Sequence, residues 1–210
     1  MTRISTLPSM FIVLGAVALG ACAKNDAADN AAMTNDMAID NAMAGNAMAG
    51  NAMAGNAMAG VPQSFNFTGG DGALLGNVMV SEDSSGLVLN LTATAMPAGV
   101  HGMHLHEKGL CDGPKFESAG AHWNPGMKQH GRDNPAGAHL GDLANLTVAA
   151  DGTAKVSIPV AGAKVASGAM MLADADGTAL VVHAEPDDYK TDPSGDSGDR
   201  IACAVLAAAK

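Results

Sequence analysis

Gly86-Leu87-Val88-Leu89-Asn90-Leu91-Thr92-Ala93-Thr94 alternates residue by residue. Leu87, Leu89, Leu91 and Ala93 form one apolar set; Val88, Asn90, Thr92 and Thr94 form the other, more polar set. A period of two sends the sets to opposite faces, as in a half-buried β-strand. Short apolar stretches of the same kind lie at 63–68, 75–82, 101–107, 143–149, 153–158, 179–183 and 200–206. Turn pairs punctuate them: Asp71-Gly72, Ser85-Gly86, Asp151-Gly152 and Asp176-Gly177. Together these predict eight strands and no long helix, hence an all-β antiparallel sandwich or closed barrel. Two long connections remain, 108–142 and 184–199. Long ordered loops on a β scaffold usually carry function.

The composition narrows the class. The 210 residues hold 11 Lys and Arg against 21 Asp and Glu, a net charge of −10. Nucleic acid is therefore not an expected partner, because neutralising phosphates needs a basic face. Aromatic residues are 3% and apolar residues 48%, so the core must be aliphatic. No apolar run reaches the ~18 residues of a spanning helix, which excludes a multi-pass membrane protein. Three cysteines are too few for a disulfide-dense miniprotein.

Three segments follow in order. Residues 1–21 read as an export signal: Arg3 supplies the positive start and residues 10–21 (MFIVLGAVALGA) the short apolar stretch. The end of that stretch, Leu19-Gly20-Ala21-Cys22, resembles the cleavage box of bacterial lipoproteins. The resemblance implies a lipid anchor on Cys22 in a bacterial membrane, and Ala23 after the cysteine points to the outer membrane. An ordinary secretory signal with an incidental cysteine is the competing reading.

Residues 22–62 read as a low-complexity tether. Asn-Ala-Met-Ala-Gly occurs four times from Asn41 to Gly60. A period of five gives no apolar stripe on a helix or a strand, and each unit's Gly weakens a helix further. Such a linker spans roughly 30–40 Å. Its methionines, from Met33 and Met37 to Met43, Met48, Met53 and Met58, offer soft thioethers to Cu(I), though thioethers alone are weak ligands. Residues 63–210 form the predicted folded domain, large enough for one core.

All seven histidines fall in that domain: His101, His104, His106, His122, His130, His139 and His183. His104 and His106 are two apart on a strand, so both rings leave one face while Met103 and Leu105 enter the core. His101 has the wrong parity to join them and reads as a hydrogen-bonded structural histidine. His183 ends the strand that carries Leu180-Val181-Val182. His122, His130 and His139 lie in the long loop with Asp142 close behind. Imidazole suits copper and zinc, and a carboxylate is an acceptable fourth zinc ligand.

Five stretches carry a resemblance. They are His101-Gly102-Met103-His104-Leu105-His106-Glu107, Ser118-Ala119-Gly120-Ala121-His122-Trp123-Asn124-Pro125, His139-Leu140-Gly141-Asp142-Leu143, Val181-Val182-His183 and Gly198-Asp199-Arg200-Ile201-Ala202-Cys203. In this order they resemble the copper/zinc superoxide dismutases in their bacterial secreted form, over 63–210 and not over the tether.

The resemblance implies an eight-stranded antiparallel Greek-key β-barrel that dismutates superoxide in the periplasm. It implies one copper ion on His104, His106, His122 and His183, and one zinc ion on His122, His130, His139 and Asp142. His122 then bridges the two metals. Asp187 matches the carboxylate that links the two metal sites, and Arg200 the cation that docks and steers the superoxide anion. Lys108, Lys115, Lys128 and Lys190 can add to that field. Cys111 and Cys203 match a disulfide, and closing a loop of that length stabilises by ~4–5 kcal/mol in the chain-entropy model. The resemblance also leaves room for a homodimer. Two rival classes share the scaffold, a copper-delivery lipoprotein and an envelope scaffold with structural metals; the complete ligand set together with Arg200 favours the enzyme.

Overall fold

A computed structural model describes residues 61–210. The export signal, Cys22 and the Met-containing repeats lie outside the described residues. The strands are β1 (Gln63–Gly69), β2 (Leu74–Glu82), β3 (Gly86–Ala93), β4 (Gly99–His101), β5 (Met103–His106), β6 (Leu146–Val148), β7 (Ala154–Ala161), β8 (Thr178–His183) and β9 (Arg200–Ala207). One 3-10 turn, Glu117–Ala119, is the helical element among the described residues.

Seven strands pair in the order β5-β8-β9-β1-β2-β3-β7, and β4 pairs with β6. All the ladders are antiparallel. β6 lies beside β7, and β4 runs on into β5, so the curled sheet returns on itself as a barrel. The expected single strand at 101–107 is split at Gly102. The backbone of Gly102 is taken by the second long loop: its N–H donates to Glu185 O, and its carbonyl accepts the His183 N–H. With β4 and β5 taken as one bent strand, the count is eight. The stretch at 143–149 contracts to Leu146–Val148, because the Leu143 N–H is used by Met103 O and Asn145 is held by the second loop.

The alternation in β3 decides which residues fill the barrel. Leu87, Leu89 and Leu91 are buried, and Asn90 is exposed. Val80, Leu89 and Ile158 stand in register across β2, β3 and β7, as do Val78, Leu91 and Val156. β5 and β8 are buried on both faces. Their inward residues Met103, Leu105, Leu180 and Val182 join the main core. Their outward residues Ala179 and Val181 join a second cluster with Phe116, Ala119 and Cys203 under the first long loop. Cys111 and Cys203 are joined by a disulfide, with Cα atoms 5.7 Å apart, and it ties that loop to β9.

The first long loop closes the open edge of β5. Leu105 N–H donates to Gly141 O, Trp123 N–H to Leu105 O, and Glu107 N–H to Ala121 O. Covering an edge in this way satisfies its backbone groups and blocks pairing with another chain. It also sets His122 beside His106 and Asp142 beside His104.

Leu89→Ala should cost ~2–5 kcal/mol through cavity formation. Asn90→Ala, one residue away on the outer face, should stay within ~0.5 kcal/mol. Urea unfolding of the two variants measures the contrast, and equal losses would contradict the assigned faces.

Candidate metal centre

The edge pairing brings His104, His106, His122 and His183 into one buried group, with ligand atoms within 4.8 Å of one another. What each ring donates on one side decides which nitrogen is left on the other. His104 Nε2 donates to Asp187 Oδ2 at 2.8 Å, leaving Nδ1. His106 Nδ1 donates to Gly120 O at 3.0 Å, and His183 Nδ1 to Gly198 O at 3.1 Å, leaving Nε2 on both. His122 Nδ1 faces Asp142, which leaves its Nε2. These four nitrogens are buried and have no hydrogen-bond partner; Ser197 Oγ is the one other such side-chain atom among the described residues. Each unpaired buried polar atom costs ~1–3 kcal/mol, so four turned toward one another call for a shared partner. A cation with nitrogen ligands satisfies all four at once.

A second set adjoins the first. Asp142 Oδ1 lies 3.0 Å from His122 Nδ1, 3.0 Å from His130 Nδ1 and 3.1 Å from His139 Nδ1. His139 Nδ1 and His122 Nδ1 are 3.4 Å apart. Four ligands around a tetrahedral zinc at ~2.0–2.1 Å stand about 3.3–3.4 Å from one another, and the contacts of Asp142 with the three rings and of His139 with His122 are near that spacing. His104 also comes within reach of His122, His130 and Asp142. Its Nε2 is committed to Asp187, and His139 reaches the second set through Asp142 and His122.

Asp187 is buried and links the two sets. Oδ2 accepts from His104 Nε2, and Oδ1 accepts from His130 Nε2 at 3.0 Å. Arg200 lies opposite His183 in the β8–β9 register. Its guanidinium is held by two carbonyls, Nη1 donating to Phe116 O and Nη2 to Gly120 O, each at 2.7 Å. Gly120 O therefore orients both Arg200 and His106. The His101 ring is buried between carbonyls, with Nδ1 2.9 Å from His183 O and Nε2 3.0 Å from Pro97 O. Lys108, Lys115, Lys128 and Lys190 are exposed. Trp123 points into the main core rather than toward the histidines.

The electrostatics divide along the same line. Burial, reinforced by neighbouring His122 and Arg200, pushes His106 down to about 2. Burial likewise lowers His183 to about 3 and His122 to about 4, against the pull of Asp142 on His122. It lowers His104 too, opposed by Asp187. Burial works against the charge on His130 as well, but hydrogen bonds to Asp142 and Asp187 outweigh it and raise His130 to about 9. Burial opposes the charge on both carboxylates, yet hydrogen bonds from the histidines hold them well below the usual range. The first set is thus a neutral nitrogen cage, and the second is a carboxylate-centred one.

Sequence reasoning located the histidines, Asp142, Asp187 and Arg200. It missed the residues that grip Asp187 and His130. Asn145 Nδ2 donates to Asp187 O, and Asp187 N–H returns a bond to Asn145 Oδ1, both at 2.9 Å. Asp192 Oδ1 accepts the His130 N–H at 2.6 Å. These partners are 42 and 62 residues apart, and no period or motif marks them.

The fold and the two adjoining histidine sets define a β-barrel protein built to hold metal ions. Comparison with known proteins is more specific. Residues 74–206 match the family model described as copper/zinc superoxide dismutase. A superoxide dismutase [Cu-Zn] of Caulobacter vibrioides is 46% identical over 140 residues, covering 65% of this chain and 80% of that one. The crystal structure of a SOD-like protein from Bacillus subtilis superposes with a TM-score of 0.67 at 37% identity, covering 70% of this chain and 99% of that one. A Cu/Zn superoxide dismutase from Brucella abortus gives 0.56 at 28% identity, over 70% and 99% of the two chains. The chain belongs to the copper/zinc superoxide dismutase family, and it is an oxidoreductase acting on superoxide.

The titration shifts set the pH response of the metal-free protein. His106, His122 and His183 have lowered folded values, so below about 6.5 the unfolded chain binds protons that the folded chain refuses. Their stability is lost as pH falls. His130 is raised, so its contribution is full below about 6.5 and is lost as pH rises toward about 9. Denaturant unfolding in the presence of a chelator should show a maximum near neutrality, with the steeper loss on the acid side. A steady rise up to pH 9 would contradict it.

Proposed function

We propose that each chain holds one copper ion on His104, His106, His122 and His183 and one zinc ion on His122, His130, His139 and Asp142, with His122 shared between them. The observation that carries this reading is the set of four buried, unpartnered ring nitrogens turned toward one another. An all-imidazole set suits copper, which stands at the top of the divalent affinity order. The second set has four protein ligands and is closed, as in structural zinc sites. Copper held there would supply the one-electron couple that dismutation of superoxide to dioxygen and hydrogen peroxide needs.

The chain's own residues supply the rest. Arg200 presents a permanent charge to a monoanionic substrate, and the carbonyls of Phe116 and Gly120 keep the fork from swinging away. A local cation can draw an anion into its site although the whole chain is negative. His122 would hold Nδ1 toward the second set, and its Nε2, whenever it is not on the ion of the first set, would be free to carry a proton for the product. Asp187 fixes the rings of His104 and His130 from behind. Such outer partners set tautomer and orientation.

Motifs in the first 62 residues support a location in the cell envelope. Residues 1–21 direct export, Cys22 carries the lipid anchor in a bacterial membrane, the outer one by Ala23, and residues 23–62 tether the domain in the periplasm. Multiple acyl chains make such an anchor firm. The Cys111–Cys203 disulfide suits an oxidising compartment.

Metal analysis of purified protein should return one copper and one zinc per chain together with superoxide consumption. A single ion per chain, or two ions without activity, would overturn the reading. Arg200→Ala should keep both metals yet lower kcat/KM by roughly tenfold or more at low ionic strength, with a flatter salt dependence. An unchanged rate would remove Arg200 from substrate docking.

A further inference from the structure

Tyr189 is fastened on four sides. Its backbone N–H donates to Asp187 Oδ1 at 2.6 Å, and its carbonyl accepts the Asp133 N–H at 3.0 Å. Its hydroxyl accepts the Asn145 N–H at 2.9 Å. The Arg132 guanidinium lies over its ring, 3.6 Å from the centroid. The residue sits in the left-handed region, with φ of 63°. A non-glycine side chain holds that conformation where its surroundings over-determine it, and such residues cluster at functional positions.

Each attachment leads to the second histidine set. Arg132 and Asp133 follow His130 closely. Asn145 grips the Asp187 backbone through its paired amide bonds. Asp187 in turn directs His104 Nε2 and His130 Nε2. Two glycines let the loops come this close: a Cβ on Gly131 would stand 2.2 Å from Tyr189 O, and one on Gly195 would stand 2.7 Å from His130 Nε2.

We propose that Tyr189, with Arg132 over its ring, is a positioning residue that pins the 187–195 loop to the 130–145 loop and so governs how fast the second set releases its metal ion. The inference rests on the zinc assignment made above. Asp187, on the second long loop, can orient both the His104 ring on β5 and the His130 ring on the first long loop only while the two loops keep their spacing, and Tyr189 spans that spacing. Loss of the pin lets Asp187 and His130 tilt together, and an ion on His130 then departs sooner.

The test loads the full chain with one equivalent of cobalt(II), whose visible bands report the ligand field of the second set. Release is then timed against a chelator. Tyr189→Ala should speed release roughly tenfold to a hundredfold, the usual effect of losing an outer partner, and should shift the bands. Tyr189→Phe keeps the ring under Arg132 and should restore much of the slow release. Arg132 is exposed, so Arg132→Ala should fold normally and speed release roughly two- to fivefold. Thermal unfolding of the metal-free forms is measured alongside. A Tyr189→Ala variant that unfolds earlier but keeps the wild-type bands and release rate would show a purely structural residue and overturn the proposal. Should that variant fail to fold, a wild-type release rate and wild-type bands in Arg132→Ala would overturn it equally. A wild type that takes up no cobalt sinks the zinc assignment and the pin together, whereas normal uptake with unaltered variants sinks the pin alone.

Discussion

An imidazole has two nitrogens, and the hydrogen bond made by one decides what the other can do. Every ring of the first set makes its outward bond to a group that can only accept: Asp187, Gly120 O, Gly198 O or Asp142. The inward nitrogen of each is thereby left with its lone pair. Neutral rings are what metal ions require, and burial keeps His106, His122 and His183 neutral across the physiological range. The protein therefore bears the cost of desolvating and orienting the ligands during folding, before any ion arrives. An ion that binds recovers the interactions those nitrogens lack, which couples metal affinity to fold stability.

Both faces of β5 and β8 are needed for this arrangement. Met103, Leu105, Leu180 and Val182 anchor the strands in the barrel. The opposite face would expose His104, His106, Ala179 and Val181, and the first long loop covers it with Phe116 and Ala119 while the disulfide holds the loop to β9. The loop does two things with the same residues. Its backbone satisfies the edge of β5, and its side chains His122 and Asp142 complete the two sets. The site is thus made where strand order would otherwise leave an unpaired edge.

Much of this was legible from residue spacing. Alternation in 87–94 marked a strand with one buried face, and the parity of His104 and His106 put both rings on the side opposite Met103 and Leu105. His101, by the same parity, stands apart, and its ring lies between carbonyls. The split at Gly102 was not legible, because its cause is hydrogen bonding to Glu185 and His183, about 80 residues away. The short β6 has the same kind of cause. The grip of Asn145, Tyr189 and Asp192 on the histidine loop was also hidden. Polar residues in irregular loops have no period, and nothing in Asp187-Asp188-Tyr189-Lys190 distinguishes a tyrosine that spans two loops from one that faces water.

The two sets differ in how their ligands are held, and the difference follows from what holds them. The first set draws His104, His106 and His183 from β5 and β8, strands fixed by packing on both faces. The second draws all four residues from a single loop, His122 to Asp142, which Trp123 and Leu140 anchor to the core at its ends but in which no buried apolar residue lies between them. Loops without buried apolar area open more readily than strands. The second set must therefore borrow rigidity from polar contacts with the other long loop: Asp187 on His130 Nε2, Asp192 on the His130 N–H, and Tyr189 O on the Asp133 N–H. Because His122 belongs to both sets, disorder in the loop would reach the first set through that one ring. A strand-built cage next to a loop-built one works only if the second is clasped, and the 184–199 loop is the element in position to do it.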